Sequence, residues 1–67
     1  MATHQEIEEE TYRRIVLWAR ERDSITILEA RDAFRLSYNG AHIFLRRMQQ
    51  EGVLGPVDAT GRLPVQK

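Results

Sequence analysis

Cysteine is absent from this 67-residue sequence, which excludes disulfide bonds and zinc sites built on thiolate ligands. Its two histidines, His4 and His42, are too few and too far apart to suggest a metal site. No apolar run approaches the roughly 20 residues that cross a bilayer, and residues 1–6 lack the basic and apolar regions of a signal peptide. A glycine-rich phosphate loop is also missing. We therefore expect a cytoplasmic protein that uses no metal or cofactor, contacts no membrane and is not an enzyme.

Charge of neither sign dominates, because ten Lys and Arg residues offset ten Asp and Glu residues. The distribution is nevertheless uneven. Residues 1–34 carry five arginines and eight acidic residues, a balance of −3, whereas residues 35–67 carry five cationic and two acidic residues, a balance of +3. No acidic residue occurs between Arg35 and Gln50. The basic half is typical of a surface that binds a polyanion such as nucleic acid; the alternative is ordinary scatter of surface charge.

Apolar residues at spacings of three and four predict a first helix over about residues 5–22. Four glutamates at positions 6 and 8–10 favour the positive end of its dipole. They either stabilise and solubilise the helix or form a protein-binding surface. The predicted inward face comprises Ile7, Thr11, Tyr12, Ile15, Val16, Trp18, Ala19 and Arg22.

A second, shorter helix is predicted over about residues 27–34. Thr26 and Glu29 have the spacing of a capping box, in which each side chain accepts a hydrogen bond from the other residue's backbone amide. Ile25, just before this pair, is predicted to be a single extended residue or a very short strand. The inward residues should be Ile27, Ala30 and Phe34, with Leu36 closing the turn that follows.

A third helix is predicted over about residues 38–51. Ser37 can cap its N-terminus, and Gly52 stands where a left-handed residue ends a helix at little steric cost. Only residues 35–37 separate it from the second helix, as in a helix-turn-helix. Its core-facing residues should be Ala41, Phe44, Leu45 and Met48.

Beyond the third helix, residues 53–65 predict a β-hairpin. Two short apolar segments flank the turn-rich tetrapeptide 58–61, and Pro56 and Pro64, which donate no backbone hydrogen bond, suit a short exposed hairpin. The sequence therefore predicts one domain, residues 1–67, that is mainly α-helical with a small β-hairpin. Its expected architecture is a winged helix-turn-helix, with three helices and a wing.

The exposed side of the third helix in a helix-turn-helix reads base edges in the major groove of DNA. Asparagine can bond an adenine edge, arginine can bond a guanine edge, and an apolar side chain can contact the thymine methyl group. We therefore expect sequence-specific binding of double-stranded DNA. Arg46 and Arg47 lie further along the helix, so they alternatively bind phosphates instead of bases, or are ordinary surface residues. The candidate DNA-binding residues are Ser37, Tyr38, Asn39, Gly40, His42, Ile43, Arg46, Arg47 and Arg62.

Three stretches of the sequence share the pattern of a known family. Residues 37–48 begin Ser-Tyr-Asn-Gly-Ala, residues 51–56 read Glu-Gly-Val-Leu-Gly-Pro, and residues 14–17 read Arg-Ile-Val-Leu. Together they resemble the gamma domain, the C-terminal winged-helix domain of the FtsK family of bacterial DNA translocases. The resemblance covers about residues 11–65.

The resemblance implies that several copies of such a domain read a short directional motif in double-stranded DNA, and that a site-specific recombinase or another protein is a further partner. It assigns Asn39 to a DNA-reading position. Gly40 and Ile43 stand where the family has arginines, so we expect weak binding to the family's guanine-rich motifs. The start at Met1 favours a small stand-alone protein over an excised domain. The alternative function is a winged helix that binds another protein, which the exposed Ile43 and the two missing arginines favour.

Overall fold

The computed structural model describes the backbone of residues 4–66 and the side chains of residues 8–66. Within these residues, three helices and a small antiparallel sheet confirm the predicted mainly helical chain with a minor β component. The second helix has its predicted bounds, whereas the first and third end two residues and one residue earlier than predicted. In chain order the elements are α1 (His4–Arg20), β1 (Ser24–Ile25), α2 (Ile27–Phe34), α3 (Tyr38–Gln50) and β2 (Leu63–Pro64).

One face of α1 packs into the core. Its buried residues are Tyr12, Ile15 and Ala19, and its half-buried residues are Thr11, Val16 and Trp18. The prediction that Arg22 faces inward is wrong: the helix ends before it, and its guanidinium is exposed, with Cζ 4.5 Å from the centroid of the Trp18 ring system. The predicted inward position of Ile7 lies outside the described side chains.

Local capping interactions set the ends of α2 and α3. Thr26 Oγ1 accepts a hydrogen bond from the Glu29 amide at 3.1 Å, and Glu29 Oε1 accepts one from the Thr26 amide at 2.8 Å. This confirms the capping box. Ser37 Oγ accepts from the Gly40 amide at 3.0 Å, and Gly52 has a φ of 80° just after α3, so both ends of α3 are closed as predicted.

The core lies where α1, α2 and α3 meet the sheet. Two aromatic pairs connect the helices: Phe44 stacks on Tyr12 with ring centroids 6.1 Å apart, and Trp18 meets Phe34 edge-on at 5.7 Å. Phe44 therefore joins α3 to α1, whereas Trp18 joins α1 to α2. The buried cluster comprises Tyr12, Ile15, Ala19, Ile25, Ala30, Leu45, Met48, Val53, Leu54 and Leu63.

The sheet forms between distant parts of the chain. β1 and β2 pair antiparallel, with Ile25 opposite Leu63. Val65, which follows β2 directly, makes an antiparallel bridge with Leu54. The chain thus doubles back between residues 53 and 65 as predicted, but the hairpin has one bridged pair instead of two full strands. Its two prolines donate no ladder hydrogen bond, which limits its pairing.

Candidate nucleic-acid interface

Three residues, 35–37, join α2 to α3 in a tight turn. Arg35 adopts the left-handed conformation, with φ 53° and ψ 46°, and its amide and that of Leu36 both donate to the Arg31 carbonyl. Ser37 is extended and caps α3. The Arg35 side chain is exposed, and its guanidinium has no ion-pair partner among the described side chains.

The outward side of α3 carries a stripe of exposed residues at spacings of four, three and four. We call this stripe the exposed α3 face; its members are Asn39, Ile43, Arg46 and Gln50. None of them is acidic. Ile43 is 67% exposed and lies between Asn39 and Arg46 along the stripe. The guanidinium of Arg46 has no ion-pair partner in the part of the chain whose side chains are described, so the face offers an uncompensated positive charge.

A groove of about 560 Å³ separates α3 from the 55–62 loop. Gln49 bridges the two sides, because its Nε2 donates to the Gly55 carbonyl at 3.1 Å. This bond fixes the loop beside the helix. The exposed residues of the groove include Tyr38, His42 and Arg46 from α3 and Val57 from the loop.

Arg47 is directed away from the exposed α3 face and toward α1. Its Nη1 and Nη2 donate to the two carboxylate oxygens of Glu9 at 2.8 and 3.0 Å, and its Nε donates to Glu51 at 3.1 Å. Its Cζ lies 3.9 Å from the centroid of the Tyr12 ring. Arg47 therefore does not share the exposed position of Arg46 that its place among the candidate DNA-binding residues predicts; it makes four intramolecular contacts instead.

The protonation equilibria of this network follow its hydrogen bonds. Burial raises the pKa of the Tyr12 phenol to about 12, and its hydrogen bond to Glu51, 2.8 Å long, acts in the same direction. Donation from Tyr12 and then from Arg47 lowers the pKa of Glu51, and donation from Arg47 lowers the pKa of Glu9. The same bonds raise the pKa of Arg47. The network therefore holds its carboxylates and its guanidinium in their charged forms.

Arg62 joins the end of the 55–62 loop to the N-terminus of α2. Its Nε donates to Ser24 Oγ at 2.8 Å, and its Nη2 donates to Glu29 Oε1 at 3.0 Å and to the Ser24 carbonyl at 3.2 Å. The backbone amide of Thr26 is the main cause that lowers the pKa of Glu29, and the charge of Arg62 contributes to it. Arg62 thus has a structural role in addition to its predicted place beside DNA.

Asp58 organises the tip of the loop. Its Oδ1 accepts hydrogen bonds from the hydroxyl and the amide of Thr60, and from the amide of Arg62. The hydroxyl of Thr60 is the main cause that lowers the pKa of Asp58. The acidic group of the loop is therefore satisfied within the loop.

Gly40 is one of the candidate DNA-binding residues named from the sequence. It is half-buried, and a Cβ built at this position would lie 3.1 Å from Ser37 Oγ. The glycine therefore relieves crowding around the N-terminal cap, a reason for its presence that does not involve DNA.

The structure divides the nine predicted site residues into groups. Three lie on the exposed α3 face, namely Asn39, Ile43 and Arg46; Tyr38 and His42 border the groove; Ser37 and Gly40 form the cap; Arg47 and Arg62 make ion pairs elsewhere. Sequence reasoning missed Arg35 and Val57. Arg35 could have been found, because it is a cation in the helix-turn-helix connector, whereas the position of Val57 depends on how the loop packs.

Comparison of the chain with protein-family models, curated proteins and solved structures finds no significant match. Among the described residues, no group of three His, Asp or Glu side chains could hold a metal ion. Of the helices between residues 4 and 66, none has the length and apolar composition needed to cross a bilayer. The geometry and charge of α3 and its surroundings are therefore the basis for a functional proposal.

Proposed function

We propose that the chain is a winged-helix domain that binds double-stranded DNA sequence-specifically, with α3 in the major groove and the 55–62 loop as the wing. Support comes from the element order, from the three-residue connection between α2 and α3, and from the antiparallel pairing of β1 with β2. These are the features of a helix-turn-helix with a trailing hairpin. Such a domain serves either as a module of a DNA translocase, similar to the gamma domain, or as a small DNA-binding regulator.

The observation that carries the proposal is the chemistry of the exposed α3 face. Asn39 and Arg46 are the residue types that make bidentate hydrogen bonds to adenine and guanine edges. Both are exposed, and Arg46 has no acidic partner among the described side chains. An acid-free helix face that presents both groups along one stripe suits a base-reading helix.

Residues next to this face supply contacts to the DNA backbone. Arg35 lies in the turn that precedes α3, and Tyr38 and His42 lie on the groove side of the helix. Arginine guanidinium, tyrosine hydroxyl and helix N-terminal amides all bind phosphate oxygens. In this proposal they set the position of α3 along the groove, while Asn39 and Arg46 select the sequence.

The charge balance predicts modest affinity for a single copy. Of the arginines, Arg47 and Arg62 are engaged in ion pairs with glutamates, so Arg35 and Arg46 are the principal cations near the proposed interface. About two phosphate or base contacts by cations give a salt slope near −2, where the salt slope is the change in the logarithm of the binding constant with the logarithm of salt concentration. This slope is shallow for a DNA-binding protein. Binding of several copies to adjacent sites, or of a second protein alongside, would raise the overall affinity.

A protein-binding function is the second candidate, and a specific observation favours it. Three large apolar side chains on α3 and the adjacent loop are well exposed: Ile43 at 67%, Val57 at 58% and Tyr38 at 53%. Apolar and aromatic residues in the middle of a surface are typical of protein interfaces. Such an interface would depend little on salt, since its affinity comes from apolar burial.

Selection of binding sites from random duplexes tests the proposal. The wild-type protein is expected to enrich one short motif. The Leu17→Ala variant serves as the control, because Leu17 is 63% exposed on α1, away from the exposed α3 face; it should enrich the same motif. The Arg46→Ala variant should lose preference at one position. Failure of the folded wild-type protein to enrich any motif, with its helical circular dichroism intact, would overturn sequence-specific DNA binding.

A further inference from the structure

Ile43 is the most exposed of the large hydrophobic residues in the described part of the chain. It lies on the exposed α3 face, four residues after Asn39 and three residues before Arg46. We infer that Ile43 reads a thymine through the 5-methyl group of the base, an inference that rests on the proposed DNA-binding function. The preferred site then holds this thymine between an adenine and a guanine.

The position of Ile43 makes contact with the ligand unavoidable. Asn39, Ile43 and Arg46 recur at the spacing that keeps side chains on one side of a helix, and all three are exposed. Any duplex close enough for Asn39 and Arg46 to bond base edges therefore also covers Ile43. The isoleucine must then face a base edge or the space between two of them.

The chemistry of the base edges selects thymine. Isoleucine has no hydrogen-bonding group in its side chain, so it cannot satisfy the amino group of cytosine or adenine, or the acceptors of guanine. Covering those groups would remove their water without providing a partner, which is unfavourable. Thymine alone presents an apolar group, its 5-methyl, in the major groove. Contact between this methyl and Ile43 buries apolar surface on both sides.

Helix geometry limits the spacing of the three bases. At 1.5 Å per residue, Ile43 lies about 6 Å along the axis from Asn39 and about 4.5 Å from Arg46. Base pairs in B-form DNA are about 3.4 Å apart along each strand. With α3 along the groove, the thymine should lie within about two base pairs of both the adenine and the guanine, and the three should fall in about five base pairs.

The test uses the motif enriched by the wild-type protein and replaces single thymines by uracil, which removes only the 5-methyl group. Affinities are measured by fluorescence anisotropy for the wild-type protein, Ile43→Ala and the control Leu17→Ala. We expect one thymine at which uracil weakens wild-type and Leu17→Ala binding roughly fourfold, the effect of one methyl-sized apolar contact. Ile43→Ala should bind the thymine and uracil duplexes with equal affinity. That affinity should be about the same as, or weaker than, the affinity of the wild-type protein for the uracil duplex. Because the wild-type protein and Ile43→Ala are measured on the same two duplexes, any effect of uracil on DNA shape cancels when the two proteins are compared.

Two results would overturn the inference and leave DNA binding intact. One is a selected motif in which no thymine is sensitive to uracil. The other is a uracil effect of the same size in the wild-type protein and Ile43→Ala, which would assign the methyl contact to another residue. If the folded protein binds no duplex at all, the proposed function fails together with the inference.

Discussion

The guanidinium of Arg47 lies over the ring of Tyr12, with Cζ 3.9 Å from the ring centroid. Because the same guanidinium also bonds both carboxylate oxygens of Glu9, it links the C-terminal half of α3 to α1. Its chain neighbour Arg46 has no ion-pair partner among the described side chains. Two adjacent arginines thus have different roles, one in stability and one in the proposed DNA contact.

Alanine substitution should separate the two roles. Arg47→Ala removes the contacts to α1, so we expect a lower melting temperature and a salt slope of DNA binding that is nearly unchanged. Arg46→Ala should leave the melting temperature nearly unchanged and make the slope shallower by about one unit, because one cation is withdrawn from the duplex. Thermal melts by circular dichroism and anisotropy titrations at several salt concentrations measure both quantities.

The opposite pattern would refute this division of roles. If Arg47→Ala weakened DNA binding as strongly as Arg46→Ala while its melting temperature stayed at the wild-type value, Arg47 would have to leave α1 and contact DNA.

Asn39 should determine the choice of one base pair. We expect Asn39→Ala to cost about 1–3 kcal/mol of binding free energy on the selected site and to relax the preference for adenine at one position. The fold should be unaffected because the side chain is exposed. Affinities for the selected duplex and for a set of single-base variants provide the measurement, and an unchanged preference at every position would remove Asn39 from base reading.

Much of the helical framework is predictable because its signals are local. The helix ends depend on residues that act on backbone groups only a few positions away: Thr26 with Glu29, Ser37, and Gly52. The structure confirms the predicted role of each. The buried face of α3 is predictable for the same reason: its period is a property of the helix alone.

The site is less predictable because it depends on contacts between distant residues. Arg47 lies at the edge of the buried face of α3, and only the presence of Glu9 and Tyr12 on α1 decides which way its side chain turns. In the same way, Arg62 meets Ser24 and Glu29, which are 38 and 33 residues away in the chain. Neither partnership leaves a periodic signal in the sequence.

Arg35 has a left-handed backbone, a conformation that glycine adopts more easily. Arg35→Gly relieves strain of about 1–2 kcal/mol, but it gives the unfolded chain more conformational entropy, which lowers stability by up to about 1 kcal/mol. We therefore expect the free energy of unfolding to stay the same or to rise by up to about 2 kcal/mol. DNA affinity should fall, with a salt slope shallower by about one unit. Chemical denaturation and anisotropy titration test the two effects.

Arg35→Lys is the matched control for this prediction, because it keeps the charge and should keep the wild-type salt slope. If Arg35→Gly bound DNA with the wild-type slope, the cation at this position would have no contact with phosphate.

Acid should destabilise the fold in a way that depends on Glu29. Its pKa in the folded protein is below the ordinary value of 4.5, so its contribution to stability is present above pH 4.5 and is lost as the pH falls through the lowered value. Glu29→Gln can retain the capping geometry without the charge. The variant should melt at a lower temperature near neutral pH and lose less stability in acid. The melting temperature of both proteins is measured between about pH 7 and pH 3. An equal fall in melting temperature for the wild-type protein and Glu29→Gln over this range would contradict the prediction.

Titration of the selected duplex at increasing salt tests the central claim, which is that the exposed α3 face binds DNA. For the wild-type protein, the logarithm of the binding constant should fall with the logarithm of salt concentration with a slope near −2, and Arg46→Ala should reduce the slope to about −1. The selected duplex should also bind more tightly than a scrambled duplex at every salt concentration. Equal binding of both duplexes, or the same slope for the wild-type protein and Arg46→Ala, would contradict the claim.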